Sequence, residues 1–217
     1  MRQIKFTNGK TFIPGKIIGL GRNYLDHIRE LGNAIPERAV IFCKPQSSLL
    51  EDGGTIILPD FAQECHHELE LAVLIGNSGK KIVAANALDH IAGYAVALDL
   101  TLRDLQTQLK DKGLPWDIAK GFDTSCPLSD FVPADQVANP NNLGLQLKVN
   151  GVIRQQGNTA QMMRSIEEII AEISIYFTLE PGDIILTGTP AGVAKINSGD
   201  VLEGSIEQVG TLKVAVA

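Results

Sequence analysis

The run from His67 to Ile75 constrains this chain more than any other stretch. It sets Glu68 and Glu70 among leucines, then continues as Leu71, Ala72, Val73, Leu74 and Ile75 until Gly76-Asn-Ser-Gly79 ends it. A short apolar run closed by a turn signal is strand-like, and this is the best strand candidate in the chain. Side chains alternate along a strand, so His66, Glu68 and Glu70 share one face while His67, Leu69 and Leu71 take the other. Two carboxylates on such a strand are too costly to bury unless a cation or hydrogen bonds neutralise them. Asp99 repeats the anomaly at the end of the apolar run Tyr94–Leu98. Three oxygen donors at strand ends suit a hard cation, Mg²⁺ first, then Mn²⁺, with Ca²⁺ as a further occupant in a crystal. Two other readings stand beside this one. Glu68 and Glu70 could lie on a solvated edge strand while Asp99 caps a helix starting at Thr101. Alternatively, Cys65 with His66 or His67 could hold structural zinc. Cys65, however, shares strand parity with His67 and not with Glu68 or Glu70, and no second cysteine lies nearby.

The rest of the chain is a series of short apolar runs punctuated by turns, with 21 Gly and 10 Pro in 217 residues. Ile4–Phe6, Lys16–Leu20, Val40–Lys44, Ala92–Leu98 and Ile184–Thr187 read as strands. Asn150-Gly151, between Leu145–Val149 and Val152–Arg154, is a two-residue hairpin signal. Asn86–His90 reads as a short helix. Thr101 is placed to cap a helix carrying Leu102, Leu105 and Leu109, and Ser165 with Glu168 forms a capping box before Ile166, Ile169, Ile170 and Ile173. Gly188–Gly192 is a tight loop. Many strands and few helices predict an α+β, mostly β fold rather than a regular βαβ array. Neither repeats nor a low-complexity linker divides the chain, so residues 1–217 read as a single domain, long enough to bury a core without disulfides.

Composition narrows the partners. With 19 Lys and Arg against 25 Asp and Glu, the formal charge is −6, and no basic cluster points to nucleic acid. Cys43, Cys65 and Cys126 are odd in number and widely spaced, as expected in a reducing compartment. The opening MRQIKFTNGK has no apolar signal core, and no apolar run reaches the length of about 18 residues that a membrane span needs. These features lead to an expectation of a cytoplasmic protein with no membrane partner.

His27 and Glu30 lie three residues apart, so one helical turn puts them on the same side. A carboxylate on one imidazole nitrogen fixes the tautomer and leaves the other nitrogen to take a proton from water. Such a pair is also an ordinary surface arrangement. The preceding Gly19-Leu-Gly21 permits close approach to a ligand, but it is not a dinucleotide fingerprint, because Tyr24 stands where a third glycine is required.

Seven blocks in order and spacing then identify a resemblance. Gly19-Leu-Gly-Arg-Asn-Tyr24 with His27 and Glu30, Phe42-Cys-Lys-Pro45, His66-His-Glu-Leu-Glu70 and Gly93–Asp104 resemble the fumarylacetoacetate hydrolase family. So do Lys112–Trp116, Ala119–Phe122 with Cys126-Pro127, and Leu186–Val193. The likeness covers most of residues 16–205 and is nearest to the short acylpyruvate hydrolase and oxaloacetate decarboxylase type. It implies a mixed β-roll with short helices, a single catalytic domain with its core at about 16–205, and a homodimer. It implies that Glu68, Glu70 and Asp99 hold Mg²⁺ or Mn²⁺, and that His27 and Glu30 are a water-activating pair on a lid that orders with ligand. By the same resemblance Lys120 is the active-site lysine, and Arg103 and Gln106 are substrate contacts. Arg22 falls in the first block. Lys44, after an apolar strand, and Thr189, in Gly188-Thr-Pro190, are further candidates for the substrate wall.

The implied ligand is a small 2-oxo or 2,4-dioxo acid. The implied reaction is metal-dependent hydrolysis of an acylpyruvate to pyruvate and a carboxylic acid, with His27 drawing a proton from the water that attacks the 4-carbonyl. Oxaloacetate decarboxylation and 2-hydroxyhepta-2,4-diene-1,7-dioate isomerisation are the alternatives within the family. His27 and Glu30 favour hydrolysis over isomerisation. A non-catalytic ligand-binding module of the same fold is the reading from another class, and it differs in turning over no 2-oxo acid.

Overall fold

The computed structural model describes residues 3–217. Its centre is the strand Leu69–Ile75, all of whose residues are buried. Ile184–Leu186 and Ile91–Leu98 flank it, both antiparallel. The sheet continues on one side to Ile17–Gly21 and Val40–Lys44, and on the other to Cys126–Leu128 and Leu49–Glu51, with Val132–Pro133 also pairing to Ile91–Leu98. It is mixed, because Ile184–Leu186 runs parallel to Ile17–Gly21 and Cys126–Leu128 parallel to Leu49–Glu51. Alternation sorts its side chains into two cores. Leu71 and Val73 join the larger, while Ala72 and Leu74 join the smaller with Ile17 and Ile184.

A second sheet orders Val152–Asn158, Gly144–Val149, Val201–Ile206, Gly210–Val216 and Thr55–Ile56. It presses on the first through Gly204, where an added Cβ would stand 2.9 Å from Leu69 and 3.2 Å from Val96. A three-stranded ribbon of Thr101–Leu102, Cys65–His67 and Ala194–Lys195 sits at the end of the central strand. The fold is α+β and mostly β, a mixed β-roll with short helices, as the sequence predicts. No helix among the described residues is long and apolar enough to cross a membrane.

Local physics accounts for much of this. Asn150 and Gly151 both take positive φ, 52° and 78°, as a two-residue hairpin turn demands. Ser165 and Glu168 form the reciprocal capping box, and Ile166, Ile169, Ile170 and Ile173 of the Ile166–Tyr176 helix are all buried. Three expectations change. Thr101 does not cap the next helix; it pairs with His66 across the ribbon, and the Arg103–Asp111 helix starts from Leu102 without a side-chain cap. The strand from His67 breaks at Glu68, leaving Cys65–His67 and Leu69–Ile75 as separate strands. The second hairpin strand runs on past Arg154, as Val152–Asn158.

Asp183 locks the entry to the Ile184–Leu186 strand. Its buried carboxylate accepts from the backbone N–H of Glu180 at 2.7 Å and of Lys16 at 3.0 Å, and also from the Lys16 ammonium. Asp183→Ala strands these donors and is expected to cost about 2–4 kcal/mol. Urea unfolding measures it: an unchanged midpoint would show that the turn is held by other contacts.

Candidate active site

The site forms where the central strand leaves the sheet. Glu68 sits in the break after the ribbon, Glu70 is the second residue of Leu69–Ile75, and Asp99 follows the last residue of Ile91–Leu98. Cross-strand pairing of Leu69 with Leu98, and the Asp99 N–H donated to the Glu68 carbonyl at 2.8 Å, bring the three together. One oxygen of each lies within 4.8 Å of the others. They are 4%, 2% and 1% exposed, which removes the solvated-edge reading. They are also the one group of three or more potential ligands among the described residues, and the cysteine–histidine zinc set does not assemble.

Three cations partly balance these acids. Lys120 Nζ donates to Glu68 Oε2 at 2.8 Å and to Asp99 Oδ2 at 2.5 Å, and lies 4.6 Å from the centre of the Phe42 ring. Arg103 pairs with the other Glu68 oxygen and holds Gln106 Oε1 at 2.7 Å. Lys44 is 2.8 Å from Asp99 Oδ1 without hydrogen-bond alignment, and its ammonium is held by the carbonyls of Leu100, Lys120 and Ser125. Glu70, by contrast, accepts from the N–H of Gly188 at 2.7 Å and has no cationic side chain in ion-pair range among the described residues.

The electrostatics follow from these partners. Burial first, then the charges of Asp99 and Glu68, push the Glu70 carboxyl well above the usual carboxylate range. Burial would push Glu68 the same way, but Lys120 and Arg103 outweigh it and hold that carboxyl low. Burial opposes the Lys120 ammonium, yet Asp99 and Glu68 raise its pKa overall. A buried all-oxygen donor set, with Glu70 lacking a cation and Asp99 Oδ1 left without a hydrogen bond, fits a hard divalent ion. Glu68, Glu70 and Asp99 are the residues to hold it.

A cavity of about 130 Å³ opens above this cluster. Arg22, His27, Glu68, Glu70, Asp99, Arg103, Gln106, Lys120 and Thr189 all line it. Glu30 stands behind His27, with Oε2 3.2 Å from Nδ1, while its Oε1 accepts from the Gly192 N–H at 2.9 Å. The short helix Leu25–Glu30 carries both, anchored by buried Ile28. Lys44 does not line the cavity; it supports Asp99 from behind. The Thr189 hydroxyl already donates to the Leu69 carbonyl and accepts from Gln155. Gly19 makes room for Phe42, whose ring would lie 2.1 Å from an added Cβ, rather than for a ligand.

Several contributors escape sequence reading. Gln155 is fully buried, and its amide joins four partners: Oε1 takes the Leu69 N–H and lies 3.0 Å from His67 Nδ1, while Nε2 donates to Thr189 Oγ1 and the Pro190 carbonyl. It ties the 189–192 loop to the carboxylate strand, and nothing in the local pattern around it signals this. Phe42, Trp116, Asn33 and Lys110 also line the cavity. For Lys110 a signal existed, since positions 103, 106 and 110 share one helix face.

The family model described as fumarylacetoacetate (FAA) hydrolase C-terminal matches residues 16–217. The chain belongs to this family. It is 46% identical over 200 residues to the mitochondrial oxaloacetate tautomerase FAHD1 of Bos taurus, covering 92% of this chain and 90% of that protein. It is 46% identical over 197 residues to the mitochondrial oxaloacetate decarboxylase of Dictyostelium discoideum, covering 90% of each. The structure resembles fumarylpyruvate hydrolase from Pseudomonas aeruginosa, solved in complex with Mn²⁺ and pyruvate, with a TM-score of 0.96 and 35% identity over 100% of this chain and 95% of that one. Relatives in this family are thus named for enzymes acting on small oxo acids.

Metal binding has a direct readout. Mn²⁺ at about a hundredfold its dissociation constant should stabilise the protein by about 2.7 kcal/mol, and a tenfold loss of affinity would cut that to about 1.4 kcal/mol. Glu70→Gln, nearly isosteric but uncharged, is expected to lose at least that much in a thermal-shift titration. A variant that gains as much from Mn²⁺ as the parent would remove Glu70 from the ligand set.

Proposed function

We propose that this chain is a divalent-cation-dependent hydrolase that cleaves the carbon–carbon bond of acylpyruvates, giving pyruvate and a carboxylic acid. The observation that carries the reading is His27, backed by Glu30, facing the same small cavity as the Glu68, Glu70 and Asp99 cluster. A cation held there, Mg²⁺ or Mn²⁺, would supply Lewis acidity toward the oxygens of a 2-oxo acid. His27, oriented through Nδ1 by Glu30, presents its other nitrogen to water and takes a proton as the oxygen attacks the 4-carbonyl. The bond between C3 and C4 then breaks, its electron pair passing to the pyruvate fragment as an enolate. That fragment takes up a proton at C3, completing the balance of water added and two acids released. Lys120 and Arg103 keep positive charge beside the acidic cluster as negative charge builds on the substrate.

A second reading is favoured by the oxaloacetate tautomerase and decarboxylase relatives. Loss of CO₂ from oxaloacetate, or its keto–enol exchange, uses the same enolate stabilisation and needs no attacking water. In tautomerisation His27 would carry the proton to and from C3. The reading includes a single catalytic domain over 1–217, assembly as a homodimer, and the cytoplasm as its place of work; the mitochondrial relatives make an organelle the competing address.

His27→Ala is expected to lower kcat for acetylpyruvate by about 10²–10⁴-fold, with the thermal midpoint and Mn²⁺ affinity kept. Hydrolysis at the parent rate by this variant would rule out His27 as the base. Parallel assays with oxaloacetate, with metal and with chelator, show which reaction dominates.

A further inference from the structure

The edge strand Val152–Asn158 changes register beside the site. From the Asn150-Gly151 turn, Val152 pairs with Val149 and Ile153 with Lys148, but the next pair is Leu147 with Gln155. Arg154 is passed over, as in a β-bulge. A regular ladder would set Arg154 opposite fully buried Leu147, facing inward; the extra residue leaves Arg154 exposed and gives the buried place to Gln155. The direction of the Gln155 amide is fixed, because the Leu69 N–H only donates to it, at 3.0 Å, and the Pro190 carbonyl only accepts from it, at 2.8 Å. The loop held in this way carries two further contacts. Its Gly188 N–H lies on Glu70 at 2.7 Å, and its Gly192 N–H on Glu30 at 2.9 Å, whose other oxygen faces His27. The loop is seated closely on the bulged strand. A Cβ added at Gly157 would stand 2.9 Å from Pro190 Cβ, and one at Gly192 would collide with the Arg154 carbonyl.

We propose that Gln155 is a positioning residue for both halves of the site: through the 188–192 loop it sets Glu70 for the cation and, by way of Glu30, the aim of His27. The role rests on the reading of Glu70 as a ligand and His27 as the base. Gln155 does not line the cavity, so it acts only through these contacts. Without its amide, the Leu69 N–H and the Pro190 carbonyl are buried with no partner, and they recover one only if the loop lifts from the strand. Lifting draws the Gly188 N–H from Glu70 and the Gly192 N–H from Glu30 together. A displacement of about 1 Å is enough to cost a reacting group about a hundredfold in rate.

The test compares the parent chain with Gln155→Met, which keeps the length and removes the hydrogen bonds. Calorimetry with Mn²⁺ alone should show Kd raised at least about tenfold. Diethyl pyrocarbonate labelling without metal, read by mass spectrometry, should speed up at least about fivefold at His27 as its helix loosens. Labelling of His90, held on the Asn77 carbonyl, should stay at the parent rate. At saturating Mn²⁺, kcat for acetylpyruvate should fall at least about tenfold while KM stays within about threefold. Should Gln155→Met not fold, Gln155→Glu carries the labelling comparison: it keeps the acceptor toward Leu69 and has at most one proton for Pro190 and Thr189. A variant that melts earlier but keeps the parent's Mn²⁺ affinity and His27 labelling would overturn the role and leave Gln155 a structural tie. A change in only one of the two would overturn the joint setting of both halves. A parent that binds no Mn²⁺, or turns over no acetylpyruvate, would count against the underlying reading, while the labelling still decides whether Gln155 holds the helix of His27.

Discussion

The structure depends on three carboxylates kept out of water at the end of its central strand. Glu68, Glu70 and Asp99 face Lys44, Lys120 and Arg103, equal numbers of formal charge brought together in one low-dielectric pocket. Removing one member of such a set leaves another charge buried without its partner, which costs several kcal/mol even after relaxation. The balance is uneven in space, because the cations gather on Glu68 and Asp99 while Glu70 keeps a backbone N–H. The pocket is therefore neutral by count and still short of positive charge where Glu70 points.

That unevenness organises the surroundings. Lys44 lies under Asp99 with its ammonium spread over backbone carbonyls, and so joins the Val40–Lys44 strand to the segment that carries Lys120. Gln155 joins the second sheet to the 188–192 loop, which in turn reaches Glu70 through Gly188. The two sheets and the ribbon meet at this point because their polar backbone groups find partners there rather than in solvent.

What the sequence made legible was local. The alternation at His67–Ile75 exposed the two glutamates, Asn150-Gly151 the hairpin, and Ser165 with Glu168 the helix start, because each is decided by neighbours within a few residues. Thr101 misled for the complementary reason: its backbone pairs with His66, thirty-five positions earlier, and that contact overrides a capping preference. The strands Val201–Ile206 and Gly210–Val216 do alternate, but Gly204 and Gly210 dilute the signal. Gln155 and Lys44 owe their roles to partners far along the chain, which periodicity does not report. Spacing alone left the carboxylates between a solvated face and a cation site; burial on both sides of the sheet decided against the first.

Glu30 divides its two oxygens between His27 on its own helix and Gly192 on the opposite loop. Swinging that helix outward would separate the carboxylate from Gly192 and, in the same motion, carry the imidazole away from the cavity. With His27 in the proposed role of base, such a displacement would leave the pocket without its proton acceptor, and solvent water entering it would go unactivated. One carboxylate thus sets the place of the short helix and the aim of the imidazole together.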